Sequence, residues 1–449
     1  MNMISIGLSG TLAAQLALNA SSNNLANLMT PGYSRQGVLI ASLAAGGVYT
    51  PALIRFNDAY KTQQLWASNS QAGHYNASQT YLDQLEAAFG GGDASGDLSL
   101  GMGALFSALQ AASGDPTASA NRNGVLYAAN GMCQAFNNMS RVFSDQVSTL
   151  EQQRQSTVDQ VNGLSKSIAD LNKQIAAAQA SGSDTSALQD QRDHAIDRLS
   201  EYADVRVVMQ DNGTADVSLA GGQPLVAGSK SATMSVERDG NGLQQISVQF
   251  GNQTFGVPAD KLGGALAGLH DYETQTLRPQ MQALNELKQQ FAQTFNDQLA
   301  AGYDMNGRPG KPLFVYDPAS GNLNIDSSVT ADDLAFSSDP NGPANTDNLL
   351  KLIDVESREV TLDGLGTVKF GSATAAMSGA IGAASQKNQQ SAHTAGAVRA
   401  QAVAAWQSVS GVNQDEEAVS LVQYQQMYQA NMKVISVANQ LFQTVMDAV

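Results

Sequence analysis

The sequence predicts a mainly α chain with a smaller β-rich section: elongated, multi-domain, and nested so that the N- and C-terminal helices pair as a coiled coil around a long-helix rod. Three observations carry this expectation. First, Leu421, Tyr424, Tyr428, Asn431, Ile435, Ala438, Phe442, Val445 and Val449 recur at alternating three- and four-residue steps, which places them on one helix face. Second, Ile4, Gly7, Thr11, Ala14, Leu18, Ser21, Leu25 and Leu28 repeat the spacing near the other end with smaller residues, and Leu8, Leu12 and Leu16 form a second apolar row beside them. Third, strand-like patterning is concentrated in the middle of the chain.

Taken in order, the first helical stretch is stopped by Met29-Thr30-Pro31-Gly32-Tyr33, because proline lacks an amide hydrogen and glycine adds backbone freedom. An irregular segment runs to about Asn57. Helical periodicity then reaches Phe89 and pauses over Gly90 to Gly103. A long helix is expected from about Asn121 to Ala180, with Phe136, Met139, Phe143, Val147 and Leu150 on one face and Leu164, Ile168, Leu171 and Ile175 continuing the stripe. Sixty helical residues extend roughly 90 Å.

Strands are expected at 205–209 and 216–219, joined through the hairpin signal Asn212-Gly213, and again at 233–236, 246–250 and 253–255. Helix returns from about Asp260 to Leu299, where Pro279 implies a kink or boundary. A loop-rich stretch from Gly302 to Phe370 holds two hairpins, near Pro318–Gly321 and Asp363-Gly364, before helix resumes from Ala373 to Gln407. The expected domains are an inner one from 1–57 and 408–449, a rod from 58–203 and 260–407, and a β-rich outer one from 204–259.

The 449 residues suffice for several cores, and with 14% charged and 43% hydrophobic residues the composition is that of folded domains. The balance of 24 basic against 40 acidic residues, net −16, argues against nucleic acid or anionic membrane as a partner. Cys133 is the single cysteine, so no intramolecular disulfide is expected; beside Met132 and Phe136 it reads as a buried structural thiol. The opening MNMISIGLSGTLAAQLALNA has no Lys or Arg before its apolar stretch and is not a secretory signal. No uninterrupted apolar window of membrane-spanning length is present either. These features suit a cytoplasmic protein, or one exported by a route that reads no cleavable signal.

No catalytic, cofactor or metal constellation emerges. His74, His194, His270 and His393 are scattered, and HExxH is absent. Asp304-Met305-Asn306-Gly307 begins like a calcium loop but lacks the later glutamate. In the acidic cluster Asp415-Glu416-Glu417, Asn413 can cap a helix with Glu416 completing a capping box. Asn23, Asn24 and Asn27 weaken a helix interior, which points to a packing role at an interface with neighbouring chains.

Two passages carry a resemblance. Ser21-Ser22-Asn23-Asn24-Leu25-Ala26-Asn27, leading to Thr30-Pro31-Gly32-Tyr33-Ser34-Arg35-Gln36, resembles the N-terminal signature of the bacterial flagellar axial proteins: rod, hook and hook-associated. Ser410 to Glu417, continuing through Tyr424 to Asn431, is similar to that family's C-terminal pattern, and Gly302 to Gly307 resembles one of its loops. The Gly-Tyr-Ser-Arg-Gln ending is most similar to the hook-associated members at the hook-filament junction.

The resemblance implies a structural role without catalysis or cofactor, with terminal helices that line a central channel and become ordered on assembly. It implies export through the flagellum-specific type III apparatus, an export chaperone on the C-terminal helix, and extracellular assembly as a ring of subunits between hook protein and a second junction protein or the filament. The expected assembly residues are Leu8, Leu12, Leu18, Asn23, Asn24, Leu25, Asn27, Leu421, Tyr424, Tyr428, Asn431, Ile435, Phe442 and Val445. A hook or rod subunit, an enzyme carried on a flagellar scaffold, and a type III-exported adhesin or effector are the competing readings. Many members of the family are longer, with an extra outer domain; about 60 residues of strand here imply a single small β domain.

Overall fold

The structure, a computed structural model, describes residues 3–44, 46–49, 53–90, 98–240 and 242–447. Val449, the last position of the C-terminal stripe, and most of the expected glycine-rich pause lie outside them. The chain opens with α1 (Met3–Ala26), followed by the short strands β1 (Gln36–Val38), β2 (Ala41–Ser42), β3 (Val48–Tyr49) and β4 (Leu53–Arg55). Four helices follow: α2 (Ala59–Phe89), α3 (Leu98–Gly114), α4 (Ser119–Ala180) and α5 (Ser186–Tyr202). The central strands are β5 (Val205–Met209), β6 (Ala215–Leu219), β7 (Pro224–Ala227), β8 (Lys230–Ser231), β9 (Thr233–Arg238), β10 (Gln244–Phe250) and β11 (Gln253–Val257). After α6 (Gly264–Tyr272) and α7 (Arg278–Ala300) come the hairpin β12 (Phe314–Asp317) and β13 (Asn322–Ile325), α8 (Asp347–Asp354), and the hairpin β14 (Glu359–Leu362) and β15 (Gly366–Lys369). The helices α9 (Phe370–Ser410) and α10 (Gln414–Asp447) finish the described chain.

Contacts divide the chain into two compact units: Met1–His74, Ser156–Ala267 and His393–Val449 form one, and Tyr75–Gln155 with Gly268–Ala392 the other. In the first unit, α1 packs along α10, and the central strands form an antiparallel four-stranded sheet, β5-β6-β7-β8, and a three-stranded one, β11-β10-β9. Val158, Val161 and Ile168 of α4, at seven- and three-residue steps, are fully buried with Ile196 and Leu199 of α5 and with Val217, Leu219, Val226 and Val248 of the sheets. Two α4 asparagines fix the strands on the helix. Asn162 donates to Met234 O at 2.9 Å and accepts from Met234 N at 2.7 Å, and Asn172 does the same with Ala215 at 2.8 and 3.0 Å. Each carboxamide thereby replaces a missing strand neighbour, which keeps buried backbone groups satisfied.

The second unit is centred on phenylalanines. Phe291 packs against Phe106, Phe295, Phe314 and Phe370, with centroids 5.4 to 6.3 Å apart and mostly edge-on, the arrangement ring quadrupoles favour. Cys133, Met132 and Phe136 join this core, and burial pushes the Cys133 thiol up to about 12. The buried Glu273 carboxylate accepts from Arg154 at 2.7 Å and from Arg278 at 2.8 and 2.9 Å. Glu273–Leu277 is a π-helical turn just ahead of Pro279; proline offers no N–H to the carbonyl four residues back, and the chain absorbs the loss by widening that turn.

Several sequence expectations change. The first pause is shorter than the glycines suggested, since α3 already begins at Leu98. Helices α5 and α8 stand where no helix was expected, and α8 is short and strongly amphipathic, burying Leu349 and Leu352. The β5–β6 connection is five residues, 210–214, in place of a two-residue turn: Asn212 Oδ1 accepts from the backbone and hydroxyl of Thr214, and Gly213 takes φ +75°. The segment expected to be irregular up to Asn57 carries two small ladders, β1 with β4 and β2 with β3.

Candidate assembly interface at the terminal helices

Helix α1 buries Gly7, Gly10, Thr11, Ala13, Ala14, Ala17, Ala20, Ser21 and Asn24, a face made almost wholly of small side chains. Such a face lets another backbone come close. A Cβ on Gly7 would stand 2.8 Å from Ile435 Cγ1 and 3.2 Å from Asn431 O, and one on Gly10 would fall within 2.7 Å of three atoms of the Asn431 carboxamide. At the other end of the pair, Ser21 meets Glu417. The pairing is therefore antiparallel, with Gly7 opposite Ile435 and Ser21 opposite Glu417.

The tightest polar arrangement sits where α1 ends and α10 begins. Glu417 is only 6% exposed; its carboxylate accepts from Ser21 Oγ at 2.5 Å and from Asn24 Nδ2 at 3.0 Å. Asn24, 1% exposed, also donates to Gln36 O at 2.8 Å, while its Oδ1 accepts from Gln36 N at 2.8 Å and from the Tyr33 hydroxyl at 2.9 Å. All four hydrogen-bonding capacities of this one side chain are thus taken up within its own chain, where the sequence reading aimed the asparagines at neighbouring chains. Burial, with the Asp190, Glu417 and Asp184 carboxylates adding, pushes the Tyr33 phenol up to about 12, so it remains a donor.

Arg35 closes the arrangement. Its amide donates to Ser410 O and its guanidinium to Glu416, both at 2.8 Å, and it lies 4.4 Å over the Phe56 ring. Asn413 Oδ1 accepts from the amides of Asp415 and Glu416 at 3.0 and 3.4 Å, while the Glu416 carboxylate is engaged by Arg35. One strand further, Arg55 bridges Asp190 at 2.7 Å and Asp193 at 2.8 Å, tying β4 to α5. Desolvation pushes the Asp190 carboxyl up against the pull of Arg55.

Of the expected assembly residues, Leu421, Tyr424, Tyr428, Asn431 and Ile435 are half-buried on the α10 side that faces α1. Leu18 and Asn27 are half-buried, Asn23 is exposed, and Leu25 is 37% exposed. Leu8 and Leu12 are 51% and 52% exposed, on the side of α1 away from its buried face. Phe442 and Val445, at 63% and 62%, share the α10 face that meets Ile435 but lie beyond the end of α1. The pair therefore shows apolar rows with no covering element among the described residues. By length and composition alone α1 could cross a membrane, with a mean hydropathy of 1.3 over an 18-residue window; here its small-residue face is packed on α10.

Sequence reasoning missed Glu417, Ser21, Gln36 and Tyr33 as one unit. Ser21 and Asn24, three apart on an otherwise alanine-lined face, were the available signal. Among the described residues, no group of three or more His, Cys, Asp or Glu side chains is placed to hold a metal. An open cavity of about 860 Å³ lies beside Arg35, walled by Met29, Pro31, Trp406 and Val412.

A helix pair tied by a buried hydrogen-bond cluster, with uncovered apolar faces along it, is the form of a subunit built for assembly. The chain belongs to the flagellar hook-associated protein FlgK family: the FlgK helical domain matches residues 82–314, and the C-terminal region of the flagellar basal body rod proteins FlgEFG matches residues 406–448. It is 27% identical to flagellar hook-associated protein 1 of Escherichia coli K12 over 99% of both chains, and 25% identical to that of Bacillus subtilis 168 over 97% of this chain and 96% of that one. The alignment with the E. coli protein runs over 547 positions against 449 residues here, so that relative contains segments this chain lacks. The structure of the flagellar hook junction protein FlgK from Burkholderia pseudomallei superposes with a TM-score of 0.52 at 31% identity, over 57% of this chain and 47% of that one.

Proposed function

We propose that this chain is a structural adaptor of the bacterial flagellum that joins hook to filament and enters the assembly through α1 and α10. The observation that carries the reading is the apolar surface left open on that helix pair: Leu8 and Leu12 on one helix, Leu441, Phe442 and Val445 on the other, all more than half exposed. Burying these rows against neighbouring subunits supplies the free energy of assembly at about 25 cal/mol per Å² of apolar area. A ring of such subunits contacts hook protein on one side and a second junction protein or filament on the other, and no catalytic step is involved.

Export proceeds through the flagellum-specific type III route without a cleavable signal, and a chaperone covers the C-terminal helix beforehand. An uncovered apolar helix end such as Leu441 to Met446 is the surface a chaperone would shield.

The test is deletion of the gene in its host. Cells with finished hooks but no filaments, shedding filament subunit into the medium, are expected. Loss of the hook itself would make the chain a hook or rod subunit, and intact rotating filaments would make it an exported adhesin or effector.

A further inference from the structure

We infer that the Ser21–Asn24–Glu417 hydrogen-bond cluster is a register lock: it selects one of several sterically similar alignments of α1 on α10. The side of α1 that meets α10 has little relief, since Gly7, Gly10, Ala14 and Ala17 offer no bulky knob. Along α10 the facing positions Tyr424, Tyr428, Asn431, Ile435 and Ala438 recur at three- and four-residue steps. Sliding one helix by seven residues therefore brings a similar set of small and large residues together, and steric fit alone discriminates weakly between the alignments.

Directional contacts between the two helices are few. Asn431 lies over Gly10, but its amide donates to Met427 O of its own helix at 2.9 Å, so it imposes shape and no bond on α1. Ser21 and Asn24, by contrast, both bond to Glu417. A slide of one heptad would strand a buried carboxylate and leave Asn24 with only its Gln36 and Tyr33 partners. A lone buried polar group that fixes alignment at a stability cost is a well-attested use of such residues.

Three cysteine pairs in the full-length chain read the alignment. The Cβ that would be built on Gly10 lies 2.6 Å from Asn431 Cγ, so the pair Gly10→Cys/Asn431→Cys is within disulfide reach in the observed register. Gly10→Cys/Tyr424→Cys and Gly10→Cys/Ala438→Cys report slides of one heptad in either direction. The native Cys133 is buried and does not compete. In the otherwise unchanged chain the first pair should oxidise on the order of tenfold faster than the other two. Adding Asn24→Ala with Glu417→Ala should bring the three rates together while far-UV helix content stays the same. Glu417→Gln, which retains shape and acceptor, should keep the native preference. The lock is overturned if the double alanine chain still closes only the first pair, if it closes none because the helices part without sliding, or if Glu417→Gln slides as freely as the double variant.

Discussion

The Asn24 carboxamide and the Glu417 carboxylate meet at 3.0 Å across 393 positions of sequence. Replacing Asn24 with alanine leaves the Gln36 backbone groups, the Tyr33 hydroxyl and one Glu417 oxygen short of partners. The expected loss is roughly 2–4 kcal/mol, since each stranded buried group costs about 1–3 kcal/mol. Trp66 and Trp406 both belong to this unit, so urea unfolding followed by tryptophan fluorescence measures it directly. An unchanged midpoint would show that water replaces the carboxamide.

Gly10 tests the close approach of the helices. Alanine there meets only the flexible Asn431 side chain, which can turn aside, and should cost about 1 kcal/mol or less. Leucine has no such outlet and should separate the helices, shifting the unfolding midpoint and abolishing incorporation into flagella. Motile cells carrying Gly10→Leu would mean that the pair opens in the assembled structure.

Ile435 and Phe442 separate stability from assembly. Ile435 touches the Gly7 position, so Ile435→Asp should destabilise the isolated protein and block incorporation. Phe442 is 63% exposed, and Phe442→Asp should leave the isolated protein within about 0.5 kcal/mol of the original. Incorporation should nevertheless fail, read as hooks without filaments. Normal filaments from Phe442→Asp cells would exclude that helix end from the interface.

A pH dependence is expected at Asp197. Burial pushes its carboxyl up to about 7; Trp66 Nε1–H and Arg399 pull it down, while Asp193 and Glu201 raise it further. The folded value lies above the ordinary 3.8, so the fold binds this proton more tightly than the unfolded chain does. Stability from this group is therefore greatest below about pH 4 and declines as the pH rises toward 7. Asp197→Asn keeps an acceptor for Trp66 and should flatten that decline, seen as a smaller difference between urea midpoints at pH 5 and pH 8. An unaltered difference would assign the slope to another group.

The long elements were legible because their stripes are long. The α4 stripe through Phe136, Phe143 and Ile168 is written over many turns, and the Gly251-Asn252 turn between β10 and β11 shows its own chemistry. Shorter elements were not. Helix α8 spans eight residues, too few turns for periodicity to rise above the surrounding loop, and α5 buries Asp190, Arg192 and Asp193 beside Ile196 and Leu199, so its inner face is not marked by apolar residues alone. The terminal helices were readable from spacing, but the stripe does not distinguish a residue facing a neighbouring chain from one facing its own. Asn24 belongs to the second kind, and only the position of Gln36 and Glu417 in space reveals it. Glu416 and Glu417 are adjacent and chemically alike, yet one reaches out to Arg35 and the other is enclosed; nothing local distinguishes them.

The antiparallel pairing of α1 with α10 also sets a timetable. A ribosome adds roughly 5–20 residues per second. Ser21 and Asn24 thus leave it roughly 20 to 80 s before Glu417 exists to receive them. Throughout that interval α1 is a finished apolar segment with no α10 to lie against, a hazard created by topology and not by composition. A newly made chain thus carries an unpartnered apolar face in its oldest residues, and faster translation, which shortens the wait, should raise soluble yield.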